Sequence, residues 1–463
     1  MLNDNAEGRV IRDLRLAAAA RSPGERLPSV RELMARHRAS PVTVQRAVAT
    51  LAAEGLVEPR PGRGTFVAPR AQAQAAAPDL SWQAVALGAG AVEADALHEL
   101  LAVPPPGAIP LSSGYLSLDL QPLALVGAAL ARAARRPGAW ERGPVEGREE
   151  LRGWFAREAG GSLRAHDVVV CSGGQPALAT AFRALAAPGD PVLVEAPTYL
   201  GAIVAARAAG LRVVPVPSDA DGVRPDLLAE AFARTRARLV YCQPLYANPH
   251  GSVLAADRRA AVLDAVAAAG AFLLEDDWAR DLSTEADPPP PLAAEDPDGH
   301  VVYVRSLTKS AAPGLRVAGI GARGAAGARL RAARIVDDFF VSGPLQEAAL
   351  EVVFAPGWRR HRRRLRGELR TRRDALAAAL RRHLPALAPT TLPDGGLHLW
   401  VALPEGTDDV ALANAAAAEG VVVFPGRPWF PADAPGPFLR LTFAAAPPDA
   451  LDEGVRRLAR ALR

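Results

Sequence analysis

The sequence predicts an α/β protein made of a small N-terminal module and a larger domain, which has a mostly parallel β-sheet and a smaller C-terminal α+β subdomain. Three observations lead to this fold class. Helix signals followed by two short strand patterns fill residues 1–68. A low-complexity stretch, PRAQAQAAAPD, follows them. From about residue 109, continuous apolar runs alternate with helical patterns, as in strands that are buried on both faces.

The N-terminal module has clear helix boundaries. An apolar stripe runs through GRVIRDLRLAAAA, and the breaker SPGERLPS ends it. Ser29 is a suitable N-cap for a second helix. Ser40 is suitable for a third, which has Pro41 in its first turn and Gly55 at its end. Two strands around a glycine-rich turn are predicted in LVEPRPGRGTFVAP. Three helices and this β-wing predict a winged helix-turn-helix over residues 1–68.

The larger domain is predicted over residues 109–463, after a linker over residues 69–108. Its buried strands are predicted in the runs DVVVCSGG, PVLVEAP, RLVYCQP, AFLLEDD and VVYVRS. The large part is expected to end near residue 355. The small part, about 356–463, is expected to contain strands in GGLHLWVALP and FLRLTFA.

Charge is distributed unevenly along the chain. Residues 1–70 hold 12 Arg and 7 acidic residues, a surplus of five positive charges, whereas the whole chain has a net charge of +4. This asymmetry favours a nucleic-acid-binding module joined to a near-neutral body. The basic run RRHRRRLRGELRTRR, residues 359–373, is interpreted as the solvated face of a helix, with a second DNA contact as the alternative.

Length and composition argue against several classes of protein. The 463 residues favour two or three domains of globular composition. No apolar run reaches the length of a membrane span, and the start of the chain lacks the apolar region of a signal peptide, so we expect a cytoplasmic protein without a membrane partner. Cys171 and Cys242 are not spaced as a metal site, so we expect structural thiols and no metal.

Lys309 is the only lysine in the sequence, whereas 53 basic residues are Arg. A guanidinium stays protonated in proteins, but a desolvated lysine amine can lose its proton and attack a carbonyl to form an imine. The alternative is that Lys309 has no special role and is a lysine by chance in a sequence with a strong bias towards Arg. The neighbouring motifs decide between the two.

Several motifs could hold pyridoxal phosphate around such a lysine. CSGGQPALATAF places a Ser-Gly-Gly turn between a strand and a helix, where free N–H groups favour a phosphate. Tyr199 could lie on a pyridine face, and Asn248 could hydrogen-bond the phenolate oxygen of the ring. The strand FLLEDD ends in carboxylates, one of which could keep the pyridine nitrogen protonated. Each motif alone is also compatible with an ordinary cap or turn.

The N-terminal module resembles the GntR-type winged helix. The resemblance lies in the LPS-x-R-E-L start, the S-x-x-T-V recognition helix, the L-x-x-E-G-L exit and the G-x-G-T-F-V wing. It implies double-stranded DNA as a partner, with a module used only for protein contacts as the alternative. The DNA-binding residues that we predict are Arg31, Ser40, Thr43, Gln45, Arg46, Arg63 and Gly64.

The larger domain resembles the fold type I pyridoxal-phosphate enzymes of the aspartate aminotransferase family. The resemblance implies that Lys309 bears the Schiff base and that Arg440 in LRLTFA binds the effector carboxylate. The other cofactor-binding residues that it implies are Ser172, Gly173, Gly174, Tyr199, Asn248, Asp276, Ser306 and Arg316.

Two positions depart from the family pattern. His250 replaces the threonine of N-P-T-G. Trp278 replaces a tyrosine that donates to the cofactor ring oxygen, and its indole N–H can donate one hydrogen bond there but cannot titrate like a phenol. We therefore keep Trp278 among the predicted cofactor-binding residues and expect altered tuning of the cofactor.

The order of the two domains resembles the MocR family of bacterial transcriptional regulators. The resemblance implies a regulator that binds DNA through its winged helix and senses pyridoxal phosphate, an amino acid or an amine through an aldimine. It further implies a head-to-tail homodimer. The alternatives are a working aminotransferase with an incidental N-terminal domain, and a DNA-binding protein whose large domain binds no cofactor. Any transaminase activity is expected to be slow.

Overall fold

The computed structural model describes residues 6–69, 79–87 and 94–462. Within them the chain forms two compact units, Met1–Gly90 and Ala91–Arg463. Among the helices that the structure describes, none is both long and apolar enough to cross a membrane.

The first unit contains the predicted three helices and β-wing. The elements are α1 Ala6–Ala19, α2 Val30–His37, α3 Pro41–Ala53, and the antiparallel strands β1 Val57–Arg60 and β2 Gly64–Val67. Ser29 begins α2 in a reciprocal cap with Glu32, and Ser40 begins α3. The core of the unit is made of Val10, Leu14, Leu27, Leu33, Val44, Val48, Leu51, Val57 and Val67. Both predicted caps are therefore present, and the predicted winged helix-turn-helix is formed.

The segment predicted to be a linker contains two short helices, α4 Ser81–Leu87 and α5 Asp95–Leu101. The side chains of α4 are exposed, as expected of a connecting segment, whereas Leu97 and Leu100 of α5 pack against Leu200 and Val204 of the large domain. Residues 95–101 of the predicted linker therefore belong to the second unit. Burial against a distant element stabilises α5, and a seven-residue pattern could not reveal that contact. Most of the low-complexity stretch, residues 70–78, lies outside the described residues.

The large part of the second unit is an α/β domain with an eight-stranded sheet. Its strands are β4 Val168–Cys171, β5 Pro191–Ala196, β6 Arg212–Asp219, β7 Gly222–Val223, β8 Leu239–Cys242, β9 Phe272–Asp276, β10 Val301–Ser306 and β11 Ala318–Gly321. They lie in the order β4-β11-β10-β9-β8-β5-β6-β7. Only β11 and the edge strand β7 run antiparallel to their neighbours. All five predicted apolar runs are strands of this sheet.

Helices cover both faces of the sheet, as a parallel sheet requires. They are α6 Leu123–Ala133, α7 Glu149–Ala159, α8 Gly174–Leu185, α9 Leu200–Ala208, α10 Pro225–Thr235, α11 Ala256–Ala268, α12 Gly324–Asp338 and α13 Gly343–Phe354. Separate apolar clusters form on the two sides of the sheet. Helix α8 follows β4 directly, and α9 follows β5. Many of the predicted cofactor residues lie in these two connections and in the loop after β10.

The small part contains the two predicted terminal strands, β12 His398–Ala402 and β15 Phe438–Thr442, in one antiparallel sheet with β14 Phe424–Pro425. Its helices are α14 Pro356–His383, α15 Asp409–Ala418 and α16 Pro448–Ala461. Strand β3, Ile109–Pro110, pairs with β13, Val421–Val422, and Leu111, Leu116 and Leu120 join the same apolar core. Residues 109–120 therefore pack with the small part, although we predicted them in the large part, because a two-residue strand leaves no sequence pattern.

The basic run on α14 is engaged in ion pairs. Arg362 pairs with Asp281 at 3.0 Å, and Arg370 and Arg373 each pair with Glu285 at 2.8 Å. Arg366 and Arg372 pair with Asp287 and Asp119 respectively. These side chains tie one side of the helix to neighbouring segments of the unit. Arg359, Arg360, Arg363 and Arg364 remain exposed, so the run also provides the predicted solvated face of a helix. These acidic partners are at least 79 residues away along the chain, which is why the run alone did not predict the pairs.

Candidate functional site

The residues predicted to contact DNA lie on two parts of the winged helix. Arg31 is exposed on α2, Gln45 and Arg46 are exposed on α3, and Arg63 is exposed in the turn between β1 and β2. A recognition helix presents such side chains to base edges or phosphates, and a wing reaches phosphates or the minor groove. The module therefore offers arginine side chains from both of the parts that contact DNA in this type of fold.

Ser40 and Thr43 fix the first turn of α3. The Thr43 N–H donates to Ser40 Oγ at 3.2 Å, and the two hydroxyl oxygens are 2.8 Å apart. Val42 lies between them and is exposed. We did not predict Val42, but an exposed apolar side chain at this position is suited to contact a thymine methyl group.

Gly64 begins the second strand of the wing with a φ of +110°, which favours glycine. A Cβ at this position would lie 2.9 Å from Arg26 Nε. The glycine thus gives the Arg26 side chain room against the wing. Arg26 was not predicted, because it lies in the breaker segment SPGERLPS and approaches the wing only in the folded module.

In the second unit, glycines and polar side chains form a cradle where α8 begins. Gly173 has a φ of +112°, and a Cβ there would lie 2.3 Å from Arg316 Nη2. A Cβ on Gly174, the first residue of α8, would lie 3.6 Å from the Ser306 Cβ. These four predicted residues are therefore close together at a helix N-terminus, where N–H groups and a guanidinium favour an anion.

Thr308 is a member of this cradle that we did not predict. Ser306 Oγ donates to Thr308 Oγ1 at 2.9 Å, and the Thr308 N–H donates to Ser306 Oγ at 3.1 Å. Arg316 Nη1 lies 3.5 Å from the Thr308 hydroxyl. The sequence S-L-T-K could have indicated this role, because Ser306 and Thr308 place hydroxyls three residues and one residue before Lys309.

Ser172 lies in the predicted phosphate turn next to Gly173, but its side chain bonds outside the cradle. Its Oγ donates to Asp338 Oδ2 at 2.7 Å, at the end of α12, and Asp338 also pairs with Arg334 at 2.8 Å. Its hydroxyl proton is thus directed to a carboxylate rather than to the cradle. The sequence motif could not show this, because Asp338 is 166 residues away.

Lys309 lies in the turn after β10, with its amine buried. Nζ donates to the Gly114 carbonyl at 2.8 Å and lies 3.9 Å from the centre of the Tyr115 ring. Burial, and to a smaller extent the cations of Arg440 and Arg316, lower the pKa of Lys309 to about 7, while Asp276 opposes them. A substantial fraction of the amine is therefore neutral and nucleophilic near neutral pH.

Asp276 lies at the end of β9 in a buried hydrogen-bond network. Tyr241 Oη donates to Asp276 Oδ2 at 2.7 Å, and Gln243 Nε2 donates to the same oxygen at 2.8 Å. Burial raises the pKa of Asp276 to about 6. The Asn248 N–H donates to Gln243 Oε1 at 2.9 Å. Gln243, which we did not predict, thus links two of the predicted cofactor residues.

Arg440 extends from β15 towards this network and is fully buried. Nη1 donates to Asn248 Oδ1 at 3.1 Å, Nη2 donates to the Ser112 carbonyl at 2.5 Å, and the guanidinium lies 4.3 Å from the Trp429 ring centre. Nε has no hydrogen-bond partner among the described residues. Burial lowers the pKa of Arg440 to about 9. A buried cation without a carboxylate partner is suited to bind the carboxylate of a ligand.

Tyr199 is partly buried and Trp278 is buried near the site, but their roles differ. A Cβ on Gly201 would lie 2.4 Å from Tyr199 Cζ, so the glycine is needed for the tyrosine ring to occupy its place. The Trp278 N–H donates to the Tyr246 carbonyl at 3.2 Å, and its ring stacks on His398. An indole has one donor, so the predicted hydrogen bond from Trp278 to a cofactor oxygen is not available in this arrangement.

The residues present fit pyridoxal phosphate. The cradle at Gly173 would be filled by a Cβ, which indicates that the backbone is kept open beside Arg316. The amine of Lys309 has the pKa of a reactive nucleophile, and Arg440 Nε is a buried donor without a partner. When bound, the cofactor would be held by the cradle at its phosphate, by Asn248 and Asp276 at its ring, and by Lys309 at its aldehyde carbon.

Comparisons with known proteins agree with this geometry. Residues 107–458 match the model of the family "Aminotransferase class I and II", which covers more than half of the chain, and residues 8–67 match that of the "Bacterial regulatory proteins, gntR family". The predicted fold class is confirmed, and the predicted cofactor agrees with the family.

Individual relatives match one domain or both. The 2-aminoadipate transaminase of Thermus thermophilus is 34% identical, over 83% of this chain and 98% of that protein. The HTH-type transcriptional regulator YjiR of Escherichia coli, uncharacterized, is 31% identical over 84% of each chain. The crystal structure of LysN, the alpha-aminoadipate aminotransferase of Thermus thermophilus, complexed with N-(5'-phosphopyridoxyl)-L-leucine, has a TM-score of 0.77 and 33% identity, covering 83% of this chain and 98% of that one.

The chain belongs to the class I and II aminotransferase family and carries a GntR-family DNA-binding domain before it, which is the MocR-type architecture of transcriptional regulators.

Proposed function

We propose that this protein is a transcriptional regulator that binds double-stranded DNA through its winged helix and senses pyridoxal phosphate, an amino acid or an amine in its aminotransferase-like domain. The observation that carries the proposal is the presence, in one chain, of a complete winged helix and a buried lysine site. Because its proposed target is chromosomal DNA, we place the protein in the cytoplasm.

The first test is whether the full chain selects a DNA sequence. Purified protein loaded with pyridoxal phosphate is incubated with genomic fragments, and the retained DNA is sequenced. We expect a discrete operator whose neighbouring genes indicate the effector. Retention of fragments without any shared sequence would contradict the proposal.

The site residues are proposed to act as follows. When bound, pyridoxal phosphate supplies a carbonyl carbon that condenses with amines and a ring that withdraws electrons. Lys309 holds the cofactor through Nζ, and Asp276 keeps a proton on the ring nitrogen. Asn248 orients the ring oxygen. Arg440 binds the carboxylate of an amino acid and thereby orients its amine towards the position of Lys309.

A working aminotransferase is the second candidate. The 34% identity to a transaminase and the presence of Lys309, Asp276, Asn248 and Arg440 favour it. The arrangement of Trp278 argues against rapid turnover, because its N–H is engaged by Tyr246 instead of the cofactor site. The two candidates differ in the effect of adding an amino acid. A regulator changes its affinity for DNA, whereas an enzyme consumes the amino acid.

We further propose a homodimer, formed head to tail, so that each winged helix meets the partner subunit's large domain. Large apolar side chains are exposed on α6 and in the loop after it, at the end of α13 and around the end of α12, as expected of an association surface. They are Leu123, Leu130, Trp140, Val336, Phe339 and Phe354. Ion pairs from Arg132 and Arg136 to Glu351 join α6 to α13 within one chain. Sedimentation equilibrium of the full chain tests this, and a monomer at micromolar concentration would contradict it.

Covalent attachment of added pyridoxal phosphate to cofactor-free protein is expected to accelerate as the pH rises from about 6 to about 8 and then level off. Only the neutral amine attacks a carbonyl, and burial lowers the pKa of Lys309 to about 7, so the neutral fraction increases through this range. The initial rate is measured by stopping the reaction with borohydride at each pH.

Arg440→Met provides the matched control for this profile. The Arg440 cation is one of the charges that lower the pKa of Lys309, so its removal is expected to move the midpoint to higher pH. A rate that continues to rise to about pH 10 in the unaltered protein, as for an exposed lysine, would show that Lys309 is not desolvated.

Arg63→Ala is expected to weaken DNA binding on all sequences and to reduce the slope of log K against log salt concentration by about one unit, because one phosphate contact is lost. Arg46→Ala is expected to change the sequence preference instead, since α3 is the recognition helix. Operator and random duplexes are titrated at several salt concentrations. Identical slopes for Arg63→Ala and the unaltered protein would show that Arg63 of the wing does not contact a DNA phosphate.

A further inference from the structure

A cavity lies between the large and small parts of the second unit, and none of the cofactor-cradle residues lines it. Its volume is about 1060 Å³. The ends of β5 and β6 and the loop from His250 to Val253 form one wall, and residues 386–394, β12 and residues 430–438 form the other. We call this space the inter-subdomain cleft. Its size is that of a cavity for a small organic molecule.

Aromatic rings form the apolar wall of the inter-subdomain cleft. Trp400 and Phe438 stack with ring centres 4.9 Å apart and an angle of 13° between their planes. Phe430 lies 5.9 Å from Phe438 and 6.2 Å from Trp400. All three side chains remain partly exposed. The wall is therefore a fixed aromatic surface on which the face of a ligand or a cationic group can rest.

The charged side chains that line the inter-subdomain cleft are all acidic, while Arg207 and Arg373 bond backbone carbonyls of lining residues. Asp219, Asp394 and Asp433 line it, whereas no Lys or Arg does so among the described residues. Asp219 is paired with Arg258 at 2.7 Å, but Asp394 and Asp433 form no ion pair within the part of the chain that the structure describes. His250 does not offset them, because burial lowers its pKa to about 4 and leaves the ring neutral.

An unpaired polar atom completes the lining. Ser252 Oγ is buried and has no hydrogen-bond partner among the described residues, although its N–H donates to His250 Nδ1 at 3.3 Å. The cleft thus combines aromatic faces with unpaired carboxylates, beside a buried hydroxyl that has no partner among the described residues.

We propose that the inter-subdomain cleft is a binding site for an organic cation with an aromatic or aliphatic body, such as an ammonium compound, separate from the site at Lys309. Aromatic faces attract cations, and unpaired carboxylates select for positive charge. The proposal goes beyond the regulator function and does not depend on it, because it concerns a cavity in which neither Lys309 nor Arg440 takes part.

The position of the cleft gives a bound cation a mechanical consequence. Its walls come from both parts of the unit, so a ligand that contacts Trp400 and His250 together holds the two parts at one separation. The His250 loop also carries Asn248, which bonds Arg440. Occupation of the cleft is therefore expected to affect the cofactor site through this loop.

The test is calorimetric titration of the full chain with benzyltrimethylammonium. This probe has no N–H group and cannot condense with a carbonyl, so it distinguishes the cleft from the site at Lys309. We expect the unaltered protein and Lys309→Ala to bind the probe with affinities within about twofold of each other. Trp400→Leu is expected to weaken binding about tenfold and Asp394→Asn about threefold. Trp82→Leu, which alters an exposed tryptophan on α4 outside the cleft, is the matched control and is expected to change nothing.

Phenylacetate, an anion with the same ring, is expected to bind at least about tenfold more weakly than the cation. Phe430→Leu is titrated as a second variant of the aromatic wall. A thermal melt of this variant and of Trp400→Leu shows whether either one has lost its folded structure. The proposal is overturned if the probe does not bind, if binding disappears in Lys309→Ala and persists in Trp400→Leu, or if phenylacetate binds as tightly as the cation.

Discussion

Replacing Lys309 with Ala is expected to abolish covalent binding of pyridoxal phosphate completely. Lys309 is the only lysine in the sequence, and its buried amine has a pKa of about 7, so no other side-chain amine can take its place. The cradle at Gly173 and Arg316 remains in the variant, so weak noncovalent binding is expected to persist. Loss of the covalent bond without loss of all affinity would separate the role of the lysine from that of the phosphate site.

Peptide mapping measures this effect directly. After borohydride reduction, a modified Lys309 resists trypsin, so the unaltered protein should give one labelled peptide from Ser306 to Arg316. Unmodified protein should be cut after Lys309. Thr308→Ala serves as a control that keeps the lysine and weakens the cradle, and its labelled peptide should still form at high cofactor concentration. Label on any peptide of Lys309→Ala other than the one that carries the N-terminal amine, or the absence of label from saturated unaltered protein, would contradict the assignment.

Transamination is expected to be slow or absent, and Trp278→Tyr is expected to increase it at least about tenfold. In this structure the Trp278 N–H bonds the Tyr246 carbonyl, so the side chain cannot donate to the oxygen of a bound cofactor ring. A tyrosine hydroxyl at this position could do so, and one such hydrogen bond is worth about 1.5 kcal/mol, or roughly a tenfold change in rate. Asp276, Asn248 and Arg440 are unchanged in both proteins.

The assay follows the formation of keto acid from a panel of amino acids in the presence of an acceptor. Trp278→Phe is the matched control, since it restores ring size but not the hydroxyl, and it should remain slow. Equal rates for Trp278→Tyr and Trp278→Phe would show that the missing hydroxyl does not limit turnover. Binding of amino acids, measured by the change in the absorption of the cofactor, should be present in all three proteins.

Much of the fold could be predicted because its signals are local. The caps at Ser29 and Ser40, the turn at Gly64 and the five apolar strands depend on residues that are close in sequence. Local signals could not predict the order of the strands in the sheet or the packing of α5 on the large domain. Burial of Leu97 and Leu100 against Leu200 gives α5 its place, and that contact spans about a hundred residues of chain.

The candidate site was predicted in part for the same reason. Gly173, Gly174 and Ser306 stand at strand ends and form one cradle with Arg316. The groups that complete the site come from distant loops: the Gly114 carbonyl accepts from Lys309 across 195 residues. Gln243 joins Asp276 to Asn248 through a side chain whose sequence context gave no signal.

Trp278 and Ser172 show the limit of transferring roles by motif. Each residue stands at the expected position, but its hydrogen-bonding group is directed elsewhere, to Tyr246 and Asp338. A donor that has one proton can make one strong hydrogen bond, so a competing acceptor decides the role. Only the three-dimensional arrangement identifies that competitor.

The most direct test of the regulator proposal is the affinity for the selected operator in three states of one protein: cofactor-free, loaded with pyridoxal phosphate, and loaded with an added amino acid. Fluorescence anisotropy of a labelled duplex gives each dissociation constant. We expect at least about a fivefold difference between two of these states, the lower range of coupling between two sites, and no such difference for Lys309→Ala. The same affinity in all three states, together with sustained turnover on the order of 1 per second, would contradict the regulator function and favour the enzyme.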